Sequence, residues 1–172
     1  MLSSYLAFHR EGYLQQLFYM FAYLKQNQNS EMIFDPSDPV IDESLFNRNY
    51  WTTSEFGLNL DEELTTNIPQ PRGVGLVMQA YVDINHAGEY ITCRSCTSFL
   101  VYLYCVLVYW MSKKQTSVQT NLFGSEFIAM KQCTEYICGL QYKLRIMEIP
   151  CILTAFIFGD NQSVLVNTTV PD

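Results

Sequence analysis

The segment LVMQAYVDINHAGEY, residues 76–90, decides the fold of this chain. It is mostly apolar up to Asp83 and then passes into the turn sequence His86-Ala-Gly88. A short apolar run closed by turn residues is typical of a buried strand. We therefore predict a strand from Leu76 to Asp83, which ends on a carboxylate.

Two more strands are predicted in Phe99–Met111, a stretch that contains no charged residue. A membrane-spanning helix needs about 20 residues, and the tyrosines in this stretch favour strands instead. We interpret it as two buried strands joined by a tight connection, the second of which ends at Ser112-Lys113-Lys114-Gln115. The expected turn, Tyr104-Cys105-Val106-Leu107, contains none of the usual turn residues.

A long helix and a fourth strand complete the pattern. The helix is predicted from about Asn121 to Met147, with Thr120 as its N-cap and Pro150 after its end. Ile152–Phe158 predicts the fourth strand, and a second helix is expected to begin near Asn161. Three strands, a helix and a strand in this order predict an α/β domain.

The first 72 residues have a different character. Apolar residues recur at helical spacing between Glu11 and Lys25, which predicts an amphipathic helix. Met32–Phe34 predicts a short strand, and residues 42–72 are polar and acidic with two isolated aromatic anchors, Trp51 and Phe56. We place the domain boundary after residue 72, so that a helix and a polar loop segment precede an α/β domain of residues 73–172.

The composition favours a folded protein of a reducing compartment. Hydrophobic residues make up 49% of the 172 positions, which is enough for a packed core. The six cysteines are scattered through apolar segments, as in a cytoplasmic or nuclear protein without disulfides. Because His9, Arg10 and Glu11 break the N-terminal apolar residues, no signal peptide is predicted, and we expect neither secretion nor a membrane partner.

The net charge restricts the partners that this chain can bind. The formal charge is −7, whereas nucleic-acid-binding proteins obtain most of their affinity by neutralising phosphates. A free-standing nucleic-acid-binding protein is therefore not indicated. Such a role would need a local basic patch or a basic partner.

Three carboxylates lie in settings that suggest one shared site. Asp83 and Asp160 follow predicted strands, and Glu126 lies near the start of the long helix. Acids from two strand ends and one helix can converge on a divalent metal ion, which a lone acidic residue cannot do. The alternative is that all three are ordinary solvated side chains.

Four stretches contain these acids and their neighbours: YVDINHAGEY (81–90), WMSKKQTSVQTNLFGSEFIAMKQCTEYI (110–137), LQYKLRIMEIP (140–150) and FIFGDNQS (156–163). Together they resemble the ribonuclease H domain at the end of copia-type retrotransposon polyproteins. The preceding EGYLQQLFYMFAYLK (11–25) and FDPSDP (34–39) resemble the segment that joins reverse transcriptase to ribonuclease H in those polyproteins. The resemblance covers nearly the whole chain and rests on the order and spacing of its motifs together.

The resemblance implies a ribonuclease H-like mixed sheet with helices, and a metal-dependent cut of the RNA strand in an RNA–DNA hybrid. In that family two Mg²⁺ ions are held by acids at the positions of Asp83, Glu126 and Asp160. The implied partners are the hybrid and the reverse transcriptase portion of the same polyprotein. Contacts to 2′-hydroxyl groups would distinguish RNA from DNA, and the candidates for them are Lys113, Lys114, Asn161 and Gln162.

Departures from the family predict weak or absent nuclease activity. The family has a fifth strand and then a fourth acid near the start of a final helix, and this chain ends before both. We therefore expect a domain that is incomplete at the C-terminus. Asn85 replaces a usual second Asp, Gly159 replaces a usual Cys, and Glu148 replaces the Gly expected at the end of the helix. The alternative functions are a non-catalytic retroelement remnant and an acidic interaction domain without nuclease activity.

Overall fold

Three helices and four strands make up the regular structure of the described residues. The computed structural model describes residues 11–31, 34–42, 44, 67–88, 92–151 and 155–169. In chain order the elements are α1 (Glu11–Gln26), β1 (Met78–Asn85), β2 (Cys96–Leu103), β3 (Val106–Lys114), α2 (Leu122–Ile146), β4 (Phe156–Phe158) and α3 (Gln162–Thr169). The chain divides into two units, Met1–Phe34 and Asp35–Asp172. The first contains α1 and the second contains all the other elements.

The four strands form one mixed sheet in the order β3-β2-β1-β4. Antiparallel pairing joins β1 to β2 and β2 to β3, whereas β1 and β4 run parallel. The prediction of a mixed α/β architecture is therefore confirmed. β1 begins two residues later than predicted and continues two residues past Asp83, so this acid lies within the strand and not at its end.

The β2–β3 hairpin turns at Tyr104 and Cys105, as the predicted tight connection requires. Tyr104 adopts a φ of 54°, a left-handed conformation that Gly or Asn takes more readily. Tertiary hydrogen bonds hold it there: its carbonyl accepts from Gln79 Nε2 at 2.9 Å, and its hydroxyl donates to the Gly75 carbonyl at 2.7 Å. A turn without turn residues thus forms because the neighbouring chain stabilises it.

One detail of the hairpin prediction is wrong. Both strands were expected to be buried, but the exposure of β3 alternates, and Trp110 is 63% exposed. This alternation is usual for a strand whose two faces see different surroundings. Lys113 and Lys114 are the last residues of β3, in agreement with the predicted end of the hairpin.

α2 begins one residue later than its predicted cap implies. The N-cap is Asn121, whose side-chain Oδ1 accepts from the Gly124 amide at 2.8 Å. The prediction of Thr120 as the cap is therefore wrong. An Asn side chain in extended backbone reaches the free amides of the first helical turn as well as a Thr does, so the pattern alone did not separate the two neighbours.

The C-terminus of α2 closes in a Schellman motif. Glu148 donates its amide to the Arg145 carbonyl at 3.0 Å, and Ile149 donates to the Leu144 carbonyl at 2.9 Å. Glu148 has a φ of 64°, the left-handed value that usually calls for Gly at this position. The helix therefore keeps its left-handed cap even though the expected Gly is absent, and Pro150 follows it.

The core lies between α2 and one face of the sheet. Its most buried members come from β1, β2 and α2, and they are Met78, Ala80, Phe99, Val101, Cys133, Ile137 and Leu144. Burial raises the pKa of the Cys133 thiol to about 12, so this cysteine behaves as a small hydrophobic residue.

The remaining predictions concern the N-terminal helix, the segments before residue 73 and the fourth strand. The Glu11–Lys25 helix is confirmed by α1, which ends one residue later. Three predicted segments lie outside the described residues in whole or in part. They are residues 32–33 of the Met32–Phe34 strand, most of the 42–72 loop with Trp51 and Phe56, and residues 152–154 of the fourth strand. The described part of the fourth strand is β4. Among all the described residues, no helix is both long enough and apolar enough to cross a bilayer.

Candidate functional site

A shallow cleft lies where β1 and β4 end beside the first turns of α2. Its volume is about 250 Å³, including space that is open to solvent. All three acids singled out in the sequence line it, together with Val82, Ile84, Ala129, Met130, Gly159, Asn161 and Val164. The three acids therefore meet at one place, although Asp83 and Asp160 are 77 positions apart in the chain.

Parallel pairing brings Asp83 and Asp160 to the same edge. Tyr81 on β1 stands opposite Phe158 on β4, and each acid follows its member of this pair by two residues. Because the carboxyl ends of parallel strands meet at one end of a sheet, side chains just beyond such a pair lie near each other. The register of these two strands thus explains how the strand-borne acids reach the cleft.

Glu126 reaches the cleft from the second turn of α2. The residue before it, Ser125, and Ala129 one turn later are both fully buried against the sheet. Glu126 is half-buried at the margin of this contact. Gly159 lets the end of β4 come close, since a Cβ there would lie 3.2 Å from Met130 Cε. A residue with a Cβ before Asp160 would require the Met130 side chain to shift by a few tenths of an ångström.

The three carboxylates line the cleft without forming a ligand cluster. Among the described residues, no group of three or more His, Cys, Asp or Glu side chains is spaced to hold a metal ion. Asp83 uses one carboxylate oxygen to accept from the Ile84 amide at 2.7 Å. As arranged in the structure, the three carboxylates do not form a site for two Mg²⁺ ions.

The four residues expected to contact nucleic acid are not all at the cleft. Asn161 lines it, but its side-chain oxygen accepts from the Ser163 and Val164 amides and so caps α3. Gln162 is exposed at the start of α3 and does not line the cleft.

The two lysines lie further away, on β3. Lys114 pairs with Cys96 on β2, which in turn pairs with Asn85 on β1. Two strand spacings, roughly 10 Å, therefore separate the lysine-bearing strand from β1. Lys113 and Lys114 would contact a ligand that extends across the sheet, and not one confined to the cleft.

A buried polar network next to the cleft was missed by sequence reasoning. Ser125 Oγ lies 2.9 Å from Ser95 Oγ and 3.0 Å from His86 Nδ1. Gln115 Nε2 donates to the Ser125 carbonyl at 2.8 Å and to Thr97 Oγ1 at 3.0 Å. The bonded residues are up to 39 positions apart. His86 was interpreted only as a turn residue near the site, and no local pattern signals the others.

Compared with known proteins, the chain matches no family model, no curated protein and no solved structure. The fold and the cleft therefore define only a class: a mixed α/β domain with three acids from β1, α2 and the segment after β4 around one cleft.

Proposed function

We propose that residues 73–172 form a ribonuclease H-like domain derived from a retrotransposon polyprotein. The observation that carries this proposal is the convergence of Asp83, Glu126 and Asp160 on one cleft. The resemblance requires acids from the first strand, the following helix and the fourth strand to meet, and solvated acids at unrelated positions have no reason to do so. The four-stranded mixed sheet is compatible with such a fold.

The reaction class under this proposal is metal-dependent hydrolysis of the RNA strand in an RNA–DNA hybrid. Asp83, Glu126 and Asp160 are the residues that would hold Mg²⁺, which takes oxygen ligands and retains several waters. We propose that cleavage is weak or absent, for two reasons. The carboxylates are not spaced as ligands, and no fourth acid lines the cleft within the described part of the chain.

The partners under this proposal are an RNA–DNA hybrid and the reverse transcriptase portion of the same polyprotein. Asn161 is the proposed nucleic-acid contact nearest the acids, and Lys113 and Lys114 would meet a duplex that crosses the sheet. We also propose that the protein acts in the cytoplasm or the nucleus.

A specific surface favours the second candidate, a non-catalytic remnant or interaction domain. Tyr81, Leu100 and Trp110 stand in one row across β1, β2 and β3, on the face of the sheet opposite α2. They are 45%, 38% and 63% exposed. Contiguous exposed apolar side chains on a folded domain often mark an interaction surface.

Cleavage of a labelled RNA–DNA hybrid by the full chain in Mg²⁺ tests the proposal. Asp83→Asn removes one proposed ligand, and Asp38→Asn is a matched control because Asp38 is exposed and does not line the cleft. Slow cleavage that Asp83→Asn abolishes and Asp38→Asn preserves would support a working nuclease. Absence of cleavage by protein with a folded circular dichroism spectrum would leave the non-catalytic candidate. Cleavage that survives Asp83→Asn would contradict the assignment of the site.

A further inference from the structure

Buried polar side chains are concentrated beside the acidic cleft. The described residues include five buried polar side chains, and four of these, Ser95, Thr97, Gln115 and Ser125, belong to one hydrogen-bonded network that ends at His86. Burying polar groups is unfavourable unless each finds a partner. Gln115 Oε1 is buried without a partner among the described residues, and the bonds made by the other members favour one arrangement of the segments they join.

The geometry of the network favours one direction for its hydrogen bonds. The Ala87 amide can only donate, and it does so to Ser95 Oγ at 3.1 Å. In one arrangement the Ser95 hydroxyl donates to Ser125 Oγ at 2.9 Å and the Ser125 hydroxyl donates to His86 Nδ1 at 3.0 Å. In another the Ser125 hydroxyl donates to Ser95 Oγ, and the Ser95 hydroxyl donates to His86 Nδ1 at 3.3 Å. The opposite direction would make His86 the donor and leave the Ser125 hydroxyl a weaker bond, 3.4 Å, to the Asn121 carbonyl. With Nδ1 as the acceptor, both hydroxyl protons have a partner within 3.0 Å, so the geometry favours the Nε2–H tautomer of His86.

The network connects the two elements that bear the first two acids. His86 follows Asp83 by three residues in the turn after β1, and Ser125 immediately precedes Glu126 on α2. Among the described residues, the His86–Ser125 hydrogen bond is the one side-chain bond between that turn and α2. Gln115 adds a second attachment of α2 to the sheet through the Ser125 carbonyl.

We propose that His86 is a positioning residue of the acidic cleft. Its imidazole, held with Nδ1 as an acceptor, fastens the end of β1 to the first turns of α2 and so sets the separation of Asp83 from Glu126. The effect of this separation on metal binding rests on the proposed function, whereas the fastening itself does not. No substrate contact is assigned to His86.

The tautomer is measured first, on the full wild-type chain. Nitrogen-15 spectra of the His86 ring at a pH where it is neutral distinguish a bare Nδ1 from a protonated one. The proposal requires a bare Nδ1 and a proton on Nε2. A proton on Nδ1 would overturn it, and this measurement needs neither a variant nor a bound metal.

Three variants then test the fastening. In His86→Asn the side-chain oxygen lies close to the former Nδ1 and can accept from Ser125, whereas His86→Gln places its polar atoms nearer the former Nε2, and His86→Leu accepts nothing. We expect the amide resonances of Asp83 and Glu126 to keep their positions in His86→Asn and to shift in the other two. Equal shifts in all three would overturn the proposal, because a merely space-filling role would not be rescued by Asn.

Metal affinity separates this inference from the proposed function. If the full chain binds Mg²⁺, His86→Leu should weaken binding about tenfold and His86→Asn should restore it, as for other residues that orient metal ligands. Unchanged affinity in a folded His86→Leu protein would overturn the link between the fastening and the cleft. If the wild type binds no Mg²⁺, the proposed function fails, while the tautomer and the amide shifts still decide whether His86 fastens β1 to α2.

Discussion

Glu148 ends α2 in a backbone conformation that costs an L-residue free energy. Its φ is 64°, and for a non-glycine residue the left-handed region costs roughly 1–2 kcal/mol. Its side chain offsets little of this cost, because it forms an ion pair with an Arg72 side chain that is 81% exposed, and such pairs contribute about 0–1 kcal/mol.

A comparison of Glu148→Gly with Glu148→Ala isolates this backbone cost. Both variants lose the ion pair with Arg72, but only Gly relieves the left-handed strain. We expect Glu148→Gly to be more stable than Glu148→Ala by about 1 kcal/mol in urea unfolding. Equal stability of the two variants would contradict the left-handed cap.

The N-cap of α2 gives a second prediction at the residue scale. Because Asn121 accepts from the Gly124 amide, Asn121→Ala should lower the free energy of unfolding by about 1 kcal/mol. Thr120→Ala is the control and should change it by less than about 0.5 kcal/mol. If Thr120→Ala lowered the free energy of unfolding more than Asn121→Ala in chemical unfolding, Thr120 would be the N-cap instead.

Asp83 and Asp160 could be identified from the sequence because each follows a short apolar run. Glu126 could be identified because it lies near a predicted helix start. Their cleft follows from the parallel register of β1 and β4. Their spacing could not be predicted, since it depends on side-chain rotamers and on bonds such as that from the Ile84 amide to Asp83. The His86–Ser125 bond was out of reach because it joins residues 39 positions apart that have no shared local pattern.

At the element scale, the β2–β3 hairpin shows how tertiary contacts replace turn chemistry. Tyr104 lacks the conformational freedom of Gly, yet its hydroxyl bonds the Gly75 carbonyl just before β1. The turn therefore depends on a neighbouring segment, which a window of the hairpin sequence does not contain. This is why the strands could be predicted and the reason for their connection could not.

Removal of the Tyr104 hydroxyl measures this dependence. Tyr104→Phe should destabilise the protein by about 1 kcal/mol, because it deletes a 2.7 Å hydrogen bond and leaves the Gly75 carbonyl without that donor. Tyr102→Phe on the adjacent strand is the matched control, since no hydrogen bond of its hydroxyl to a described residue is found. Equal effects of the two variants on thermal unfolding would show that the bond does not support the turn.

At the scale of the whole molecule, the cysteines are free and differ widely in exposure. Cys93 and Cys138 are exposed, whereas Cys133 is fully buried in the core. Burial raises the pKa of the Cys133 thiol to about 12, so the reactive thiolate is scarce at neutral pH while the protein is folded.

Thiol alkylation followed by mass spectrometry tests this order. At pH 8 we expect Cys93 and Cys138 to react first and Cys133 to react only after unfolding in denaturant. Because folding raises the pKa of Cys133, its contribution to stability is complete below the unfolded value near 9 and is lost as the pH rises towards 12. Alkylation of native Cys133 at a rate similar to that of Cys93 would show that the core is not packed as described.

The order of three strands, a helix and a strand made the α/β class of residues 73–172 predictable. The apolar runs of these segments supply the residues that pack in the core. Strand order is a different matter. The crossover that places β4 beside β1, and not beside β3, is specified by contacts of α2 with the sheet and not by any one segment. The domain boundary after residue 72 remains a prediction.

The central proposal is that the cleft lined by Asp83, Glu126 and Asp160 binds a divalent cation, although the structure does not space these carboxylates as ligands. Paramagnetic broadening by Mn²⁺, a cation with similar ligand preferences to Mg²⁺, tests it most directly in amide spectra of the full chain. We predict that substoichiometric Mn²⁺ broadens the amides of residues 82–84, 126 and 159–161 first, and that Asp160→Asn abolishes this effect whereas Asp38→Asn does not. Broadening centred elsewhere, or unchanged in Asp160→Asn, would contradict the claim.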